Sequence, residues 1–135
     1  MIDERYALDT FAILTYYGGE DGADAIEELL IKARSEGVKL YINYVNLGEV
    51  YYIIFREEGV DKANEAVALM KRWPIEFICA DERISLVAGR IKAIHPISYA
   101  DAFAVATAVN MGAKVVTGDL EFRAVEDVVP IFWIK

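Results

Sequence analysis

Between Ser98 and Asn110 the chain carries an alanine-rich segment that is apolar on nearly every side of a helix. A helix of that kind has no face to offer water, so it must be buried deeply, with other elements packed around it. In a chain of 135 residues this leaves room for one compact core. The whole chain, 1–135, is therefore read as a single domain. No repeat, low-complexity tract or linker-like shift in composition divides it.

The flanking segments say what surrounds that helix. Strands are expected at Arg5–Leu8, Lys39–Ile42, Ile75–Cys79, Lys114–Thr117 and Pro130–Ile134. Amphipathic helices are expected over Asp21–Ser35, from Asn43 as cap to Glu58, over Asp61–Arg72, and from Asp81 as cap to about Ala93. Gly37, Gly59 and Gly112 stand where three helices should stop, and Trp73-Pro74 ends another. Thr10 is the expected cap of a short helix containing Phe11, Ile13 and Leu14. Strands alternating with helices predict an α/β fold, a three-layer α/β/α sandwich around a mainly parallel sheet of about five strands.

Composition narrows the chemistry. The chain is 56% hydrophobic and 27% charged, the balance of a packed globule rather than a disordered one. No run is long enough to span a bilayer, and the start, Met1-Ile2-Asp3-Glu4, is acidic rather than signal-like. A cytoplasmic protein without membrane association is expected. Cys79 is the only cysteine, so no disulfide or cysteine zinc cluster can form within the chain. It lies in the apolar run Ile75–Ala80 and is expected to be a buried structural thiol. The only histidine, His95, precedes Pro96 in an expected surface loop. Metal chemistry here must rest on oxygen ligands, which select hard cations such as Mg2+ or Mn2+.

Four acids occupy telling positions. Open parallel sheets gather functional groups beyond the carboxyl ends of their strands. Asp9 directly follows the first strand, and Asp119 follows Val115-Val116-Thr117-Gly118 at the end of the fourth. Glu49 shares a helical face with Val45, Tyr52 and Ile53, where an unpartnered carboxylate is costly. Asp101 opens the all-apolar helix. Brought together, these carboxylates would repel one another unless a dication sat between them. Each also has an ordinary explanation: Asp9 as a helix cap, Ser98-x-x-Asp101 as a capping box, Gly118-Asp119 as a hairpin turn, and Glu49 reaching solvent or paired with Arg56 or Arg90. The functional reading rests on convergence of all four at one sheet edge.

In order, these residues are Asp9-Thr10, Asn46-Leu47-Gly48-Glu49, Ser98-Tyr99-Ala100-Asp101-Ala102-Phe103 and Thr117-Gly118-Asp119-Leu120-Glu121-Phe122. Along essentially the whole chain this pattern resembles the PIN domain, and within it the short toxins of VapBC-type toxin–antitoxin pairs. The resemblance implies an Mg2+- or Mn2+-dependent endoribonuclease, with Asp9, Glu49, Asp101 and Asp119 as catalytic and metal-binding residues and Thr117 in support. It places Glu121 where some members carry another acid, here expected to be solvated.

The resemblance also implies a homodimer, and a small antitoxin whose basic residues enter the acidic pocket. Such a partner would account for a net charge of −8, which is otherwise awkward for an RNA-binding protein. Lys32, Arg34, Arg56, Arg83, Arg90 and Lys92 are scattered and define no RNA path. Alternatives are a PIN nuclease of RNA processing outside a toxin pair, a non-catalytic RNA-binding module, and a phosphoacceptor receiver domain with Asp81 as acceptor. A haloacid-dehalogenase-like phosphatase fares worse, because Asp9-Thr10-Phe11 lacks a second Asp two positions on.

Overall fold

A computed structural model describes residues 4–35 and 37–135. Residues 1–3 of the acidic start lie outside the described residues. Five strands, β1 (Glu4–Leu8), β2 (Val38–Asn43), β3 (Ile75–Ile78), β4 (Lys114–Thr117) and β5 (Ile131–Trp133), form one sheet in the order β3-β2-β1-β4-β5. Every pairing is parallel, which rules out a hairpin at Gly118-Asp119. The helices are α1 (Thr10–Tyr17), α2 (Ala23–Ser35), α3 (Tyr44–Glu58), α4 (Val60–Met70), α5 (Glu82–Ile94) and α6 (Tyr99–Met111), with a short 3-10 helix at Leu120–Val125.

Both faces of the sheet are buried, and strand alternation sorts the side chains between them. Tyr6, Leu8, Leu40, Ile42 and Val116 face one core, built with Ile13, Ile26, Val50, Ile54 and Met70 from α1 to α4. Ala7, Tyr41 and Val115 face the other, which α5, α6 and the 3-10 helix complete. Helix α6 lies in that second layer with Asp101 through Ala108 all buried, as its composition requires. Its alanines let it sit close to α5, α3 and the central strands at once.

Polar groups stitch the layers. Asn43, at the end of β2, caps α3 by accepting from the Val45 N–H, and its amide donates to Thr107 Oγ1 at 3.1 Å. The Thr107 hydroxyl in turn donates to the Phe103 carbonyl. Gly112 ends α6 with a left-handed φ of 64°, a conformation that favours glycine.

Three local expectations fail. The cap of α1 is Asp9, whose Oδ1 accepts from the Ala12 N–H at 2.7 Å, while Thr10 is the first helical residue. Cys79 is exposed rather than buried, because β3 is an edge strand that ends at Ile78 and leaves the thiol past the sheet. His95 does lie in the loop after α5, but its side chain is only 15% exposed, with Nδ1 against the Ile91 carbonyl and Nε2 3.6 Å from Asp127. Among the described residues no helix is long and apolar enough to cross a membrane.

The Asn43–Thr107 contact gives a test of the core. Thr107→Val keeps the shape but strands the buried Asn43 amide, so urea denaturation should show a loss of about 1–3 kcal/mol. An unchanged midpoint would mean that water satisfies this amide and that the contact does not tie α6 to β2.

Candidate metal centre

The chain runs outward from β1 through β2 to β3, then returns to place β4 on the other side of β1. The connections therefore leave the sheet in opposite directions at the carboxyl ends of β1 and β4, which opens a crevice there. Asp9 and Asp119 are the residues at those two ends. Helix α3 brings Glu49 and the N-terminus of α6 brings Asp101 to the same edge. A cavity of about 290 Å³ results, lined by Glu49, Asp101, Asp119 and Glu121 together with Thr10, Phe11, Leu14, Ile53 and Ser98.

Asp9 does not line that cavity; it lies beneath it, 1% exposed. Its Oδ2 accepts from the Thr117 hydroxyl at 2.6 Å, and Thr117 Oγ1 accepts from the Asp119 N–H at 3.0 Å. One hydroxyl thus fixes the ends of both central strands. Burial is the main cause that pushes the Asp9 carboxyl up to about 8; the bonds from Thr117 and Ala12 oppose the shift, and the charges of Asp101 and Asp119 add to it. Asp101 is raised to about 6, again chiefly by burial, with its bond to Ser98 opposing and Asp119, Glu49 and Glu121 pushing it higher. Asp9 thus feels Asp101 and Asp119, and Asp101 feels Asp119 and Glu49, so the four anticipated acids are linked through Asp101.

Their capping roles are real as well. Asp9 caps α1, Asp119 accepts from the Glu121 N–H at 2.9 Å at the head of the 3-10 helix, and Ser98 Oγ accepts from the Asp101 N–H at 3.1 Å. Capping and convergence are complementary here, because the caps hold the carboxylates in place. Glu49 makes no ion pair with Arg56 or Arg90 among the described residues; the Arg56 guanidinium lies over the Tyr52 ring instead.

Glu121 keeps the solvated position expected of it, and its nearness to the other acids is what residue spacing missed. Although exposed, it offers a carboxylate oxygen that lies with those of Asp101 and Asp119 inside a 4.8 Å sphere of mutual distance. The tight turn of the 3-10 helix brings it round to face Asp101. A hard cation binds oxygens at about 2.1 Å, so ligands on opposite sides of it stand about 4.2 Å apart. A small rotation of the Glu121 side chain, or one intervening water, spans the difference. The donor set is all oxygen and fits Mg2+ or Mn2+.

Asn46 was likewise missed. Fully buried on α3, one turn before Glu49, it donates to Thr10 Oγ1 at 3.3 Å and to the Ala100 carbonyl at 3.0 Å. It thereby locks α3 to the starts of α1 and α6, the three helices around the cavity. Its Oδ1 is buried without a hydrogen-bond partner. Asp81, by contrast, caps α5 after the edge strand β3, two strands away from β1, so the receiver-domain arrangement fails on topology.

The raised carboxyls set the pH dependence of the metal-free protein. A group that holds its proton more tightly when folded contributes stability that is full below the unfolded pKa, near 4. That contribution is lost as pH rises through about 6 for Asp101 and about 8 for Asp9. In EDTA, the urea midpoint should fall between pH 5 and pH 8, and Asp9→Asn should flatten the fall. The same slope in both proteins would show that Asp9 is not a strained acid.

The PIN domain family matches residues 6–128. No curated protein matches the sequence. Among solved structures, a DNA-bound VapBC from Salmonella typhimurium is similar over 100% of both chains, with a TM-score of 0.77 at 20% identity. VapBC2 from Rickettsia felis, bound to a promoter DNA fragment, is similar over 93% of this chain and 96% of its own, with a TM-score of 0.73 at 15% identity. Mycobacterium tuberculosis VapC20, a sarcin-ricin loop cleaving toxin, is similar over 88% of this chain and 93% of its own, with a TM-score of 0.69 at 17% identity. With a family match that spans nearly its whole length, the chain belongs to the PIN-domain family.

Proposed function

We propose that this protein is an endoribonuclease dependent on Mg2+ or Mn2+, and that it is the toxin of a toxin–antitoxin pair. One observation carries the reading: Glu49, Asp101, Asp119 and Glu121 line one cavity at the switch point of a parallel sheet, and the charges of Asp101 and Asp119 reach the buried Asp9. Membership of the PIN family and likeness to VapBC toxins support it.

Asp101, Asp119 and Glu121, whose carboxylate oxygens come together, would hold the cation, with Glu49 on α3 as a further ligand or as the base that orients a water. Asp9 adds negative charge from below, and Thr117 holds both Asp9 and the Asp119 backbone in register. When bound, a divalent cation lowers the pKa of water and neutralises charge on the scissile phosphate and the leaving oxygen. In the base role, Glu49 would accept a proton from a water held in the cavity it lines. Phe11, Leu14 and Ile53 supply an apolar wall that strengthens these charge interactions by excluding solvent.

The acidic cavity also suits an antitoxin that inserts basic side chains into it, which would fill the cation's place with ammonium or guanidinium groups. Tyr52 and Phe55 on α3 and Leu86 and Ile94 on α5 leave apolar surface uncovered, in keeping with a homodimer. A cytoplasmic location follows from the same reading, since RNA and antitoxin are met there.

Purified protein should cut single-stranded RNA in Mg2+ or Mn2+ and stop in EDTA, and Asp101→Asn should abolish cutting with an unchanged circular dichroism spectrum. Thr117→Val should cost about 10–100-fold in activity, as loss of a group supporting a metal ligand does. Cleavage that survives excess EDTA would contradict the mechanism. Growth arrest on expression of the wild type, absent with Asp101→Asn, separates a toxin from an RNA-processing enzyme, which would leave growth unaffected.

A further inference from the structure

An RNA strand carries one negative charge per nucleotide, and the cavity proposed to cut it is lined by carboxylates and by no Lys or Arg. The chain as a whole is at −8. A cation within the cavity answers the charge of the scissile phosphate, but the neighbouring phosphates still meet the acidic rim. Productive binding calls for at least one protein cation close to that rim.

One is held there. Strand β5 runs beside β4, and the Ile134 N–H donates to the Thr117 carbonyl at 3.0 Å, which carries Lys135 past the carboxyl edge of the sheet alongside Gly118-Asp119. The Lys135 ammonium lies over the ring of Phe11, 5.2 Å from its centre. Phe11 itself lines the acidic cavity. The other side of this arrangement is Gly118, where a Cβ would stand 2.6 Å from the edge of the Phe11 ring. Glycine between Thr117 and Asp119 is what lets the ring sit against the strand end and carry the ammonium. Lys135 takes part in no ion pair among the described residues, so its charge is available to an incoming anion.

The geometry points to Lys135 as a phosphate-binding residue for the RNA strand entering the cavity, and to Phe11 as the residue that positions its ammonium. A lysine side chain is a flexible point charge; resting it on an aromatic face narrows where that charge is found. This inference rests on the ribonuclease reading, and the test keeps the two apart.

Binding of a single-stranded oligoribonucleotide would be measured by fluorescence anisotropy over a series of KCl concentrations, with Ca2+ replacing Mg2+, beside cleavage assays in Mg2+. Lys135→Gln should weaken binding roughly 3–10-fold and flatten the plot of log affinity against log salt by about 0.7, the loss of one phosphate contact. Lys135→Arg should retain both affinity and slope. Phe11→Leu, which keeps an apolar side chain but no aromatic face, should fall between the wild type and Lys135→Gln. If the wild type cuts RNA while Lys135→Gln binds with unchanged affinity and slope, the role given to Lys135 is wrong and the ribonuclease reading stands. If only Phe11→Leu behaves as wild type, the ring does not position the lysine. If the wild type neither binds nor cuts RNA, both readings fall.

Discussion

The hydrogen bond from Thr117 to the buried Asp9 is the contact on which the site's geometry depends. It joins the carboxyl ends of the two central strands, and the same hydroxyl accepts from the Asp119 backbone. A carboxylate so deeply buried is unfavourable in the metal-free protein unless it takes a proton. No Lys or Arg lines the neighbouring cavity to relieve this, and four more acids face it. That arrangement weakens the empty fold and favours a dication, which is how a binding site differs from a structural cluster. The helix caps around it follow from the same economy, since Asp9, Asp119 and Ser98 each hold a backbone N–H while they fix the direction of a carboxylate.

Much of this was legible in the sequence because it depends on local rules. The all-apolar segment at Ser98–Asn110 dictated a deeply packed helix, and alternating strands and helices dictated a parallel sheet. Glycines at 37, 59 and 112 and the Trp73-Pro74 pair marked helix ends closely. Asp9 and Asp119 were legible because strand ends in such sheets are where ligands go, and Asp101 because an acid opening an apolar helix stands out.

What was not legible depends on contacts made across the fold. Glu121 is solvated as expected, but its approach to Asp101 and Asp119 depends on a 3-10 turn rather than an α-helical one, and residue spacing does not distinguish the two. Asn46 sits three positions before Glu49, but its bonds to Thr10 and Ala100 cross to two other helices. Cys79 was read from an apolar run that a central strand would have buried and an edge strand does not. The cation near the cavity was missed because Lys135 is far from the acids in sequence and reaches them only through strand pairing and the Phe11 ring.

Crystals of the wild type soaked in Mn2+ and measured at an anomalous-scattering wavelength give the most direct test of whether these acids hold a metal. The account predicts one strong anomalous peak among the carboxylates of Asp101, Asp119 and Glu121, with any second peak towards Glu49, and loss of the main peak in Asp101→Asn crystals. A fully soaked wild-type crystal with its manganese elsewhere, or with none in the cavity, would contradict it.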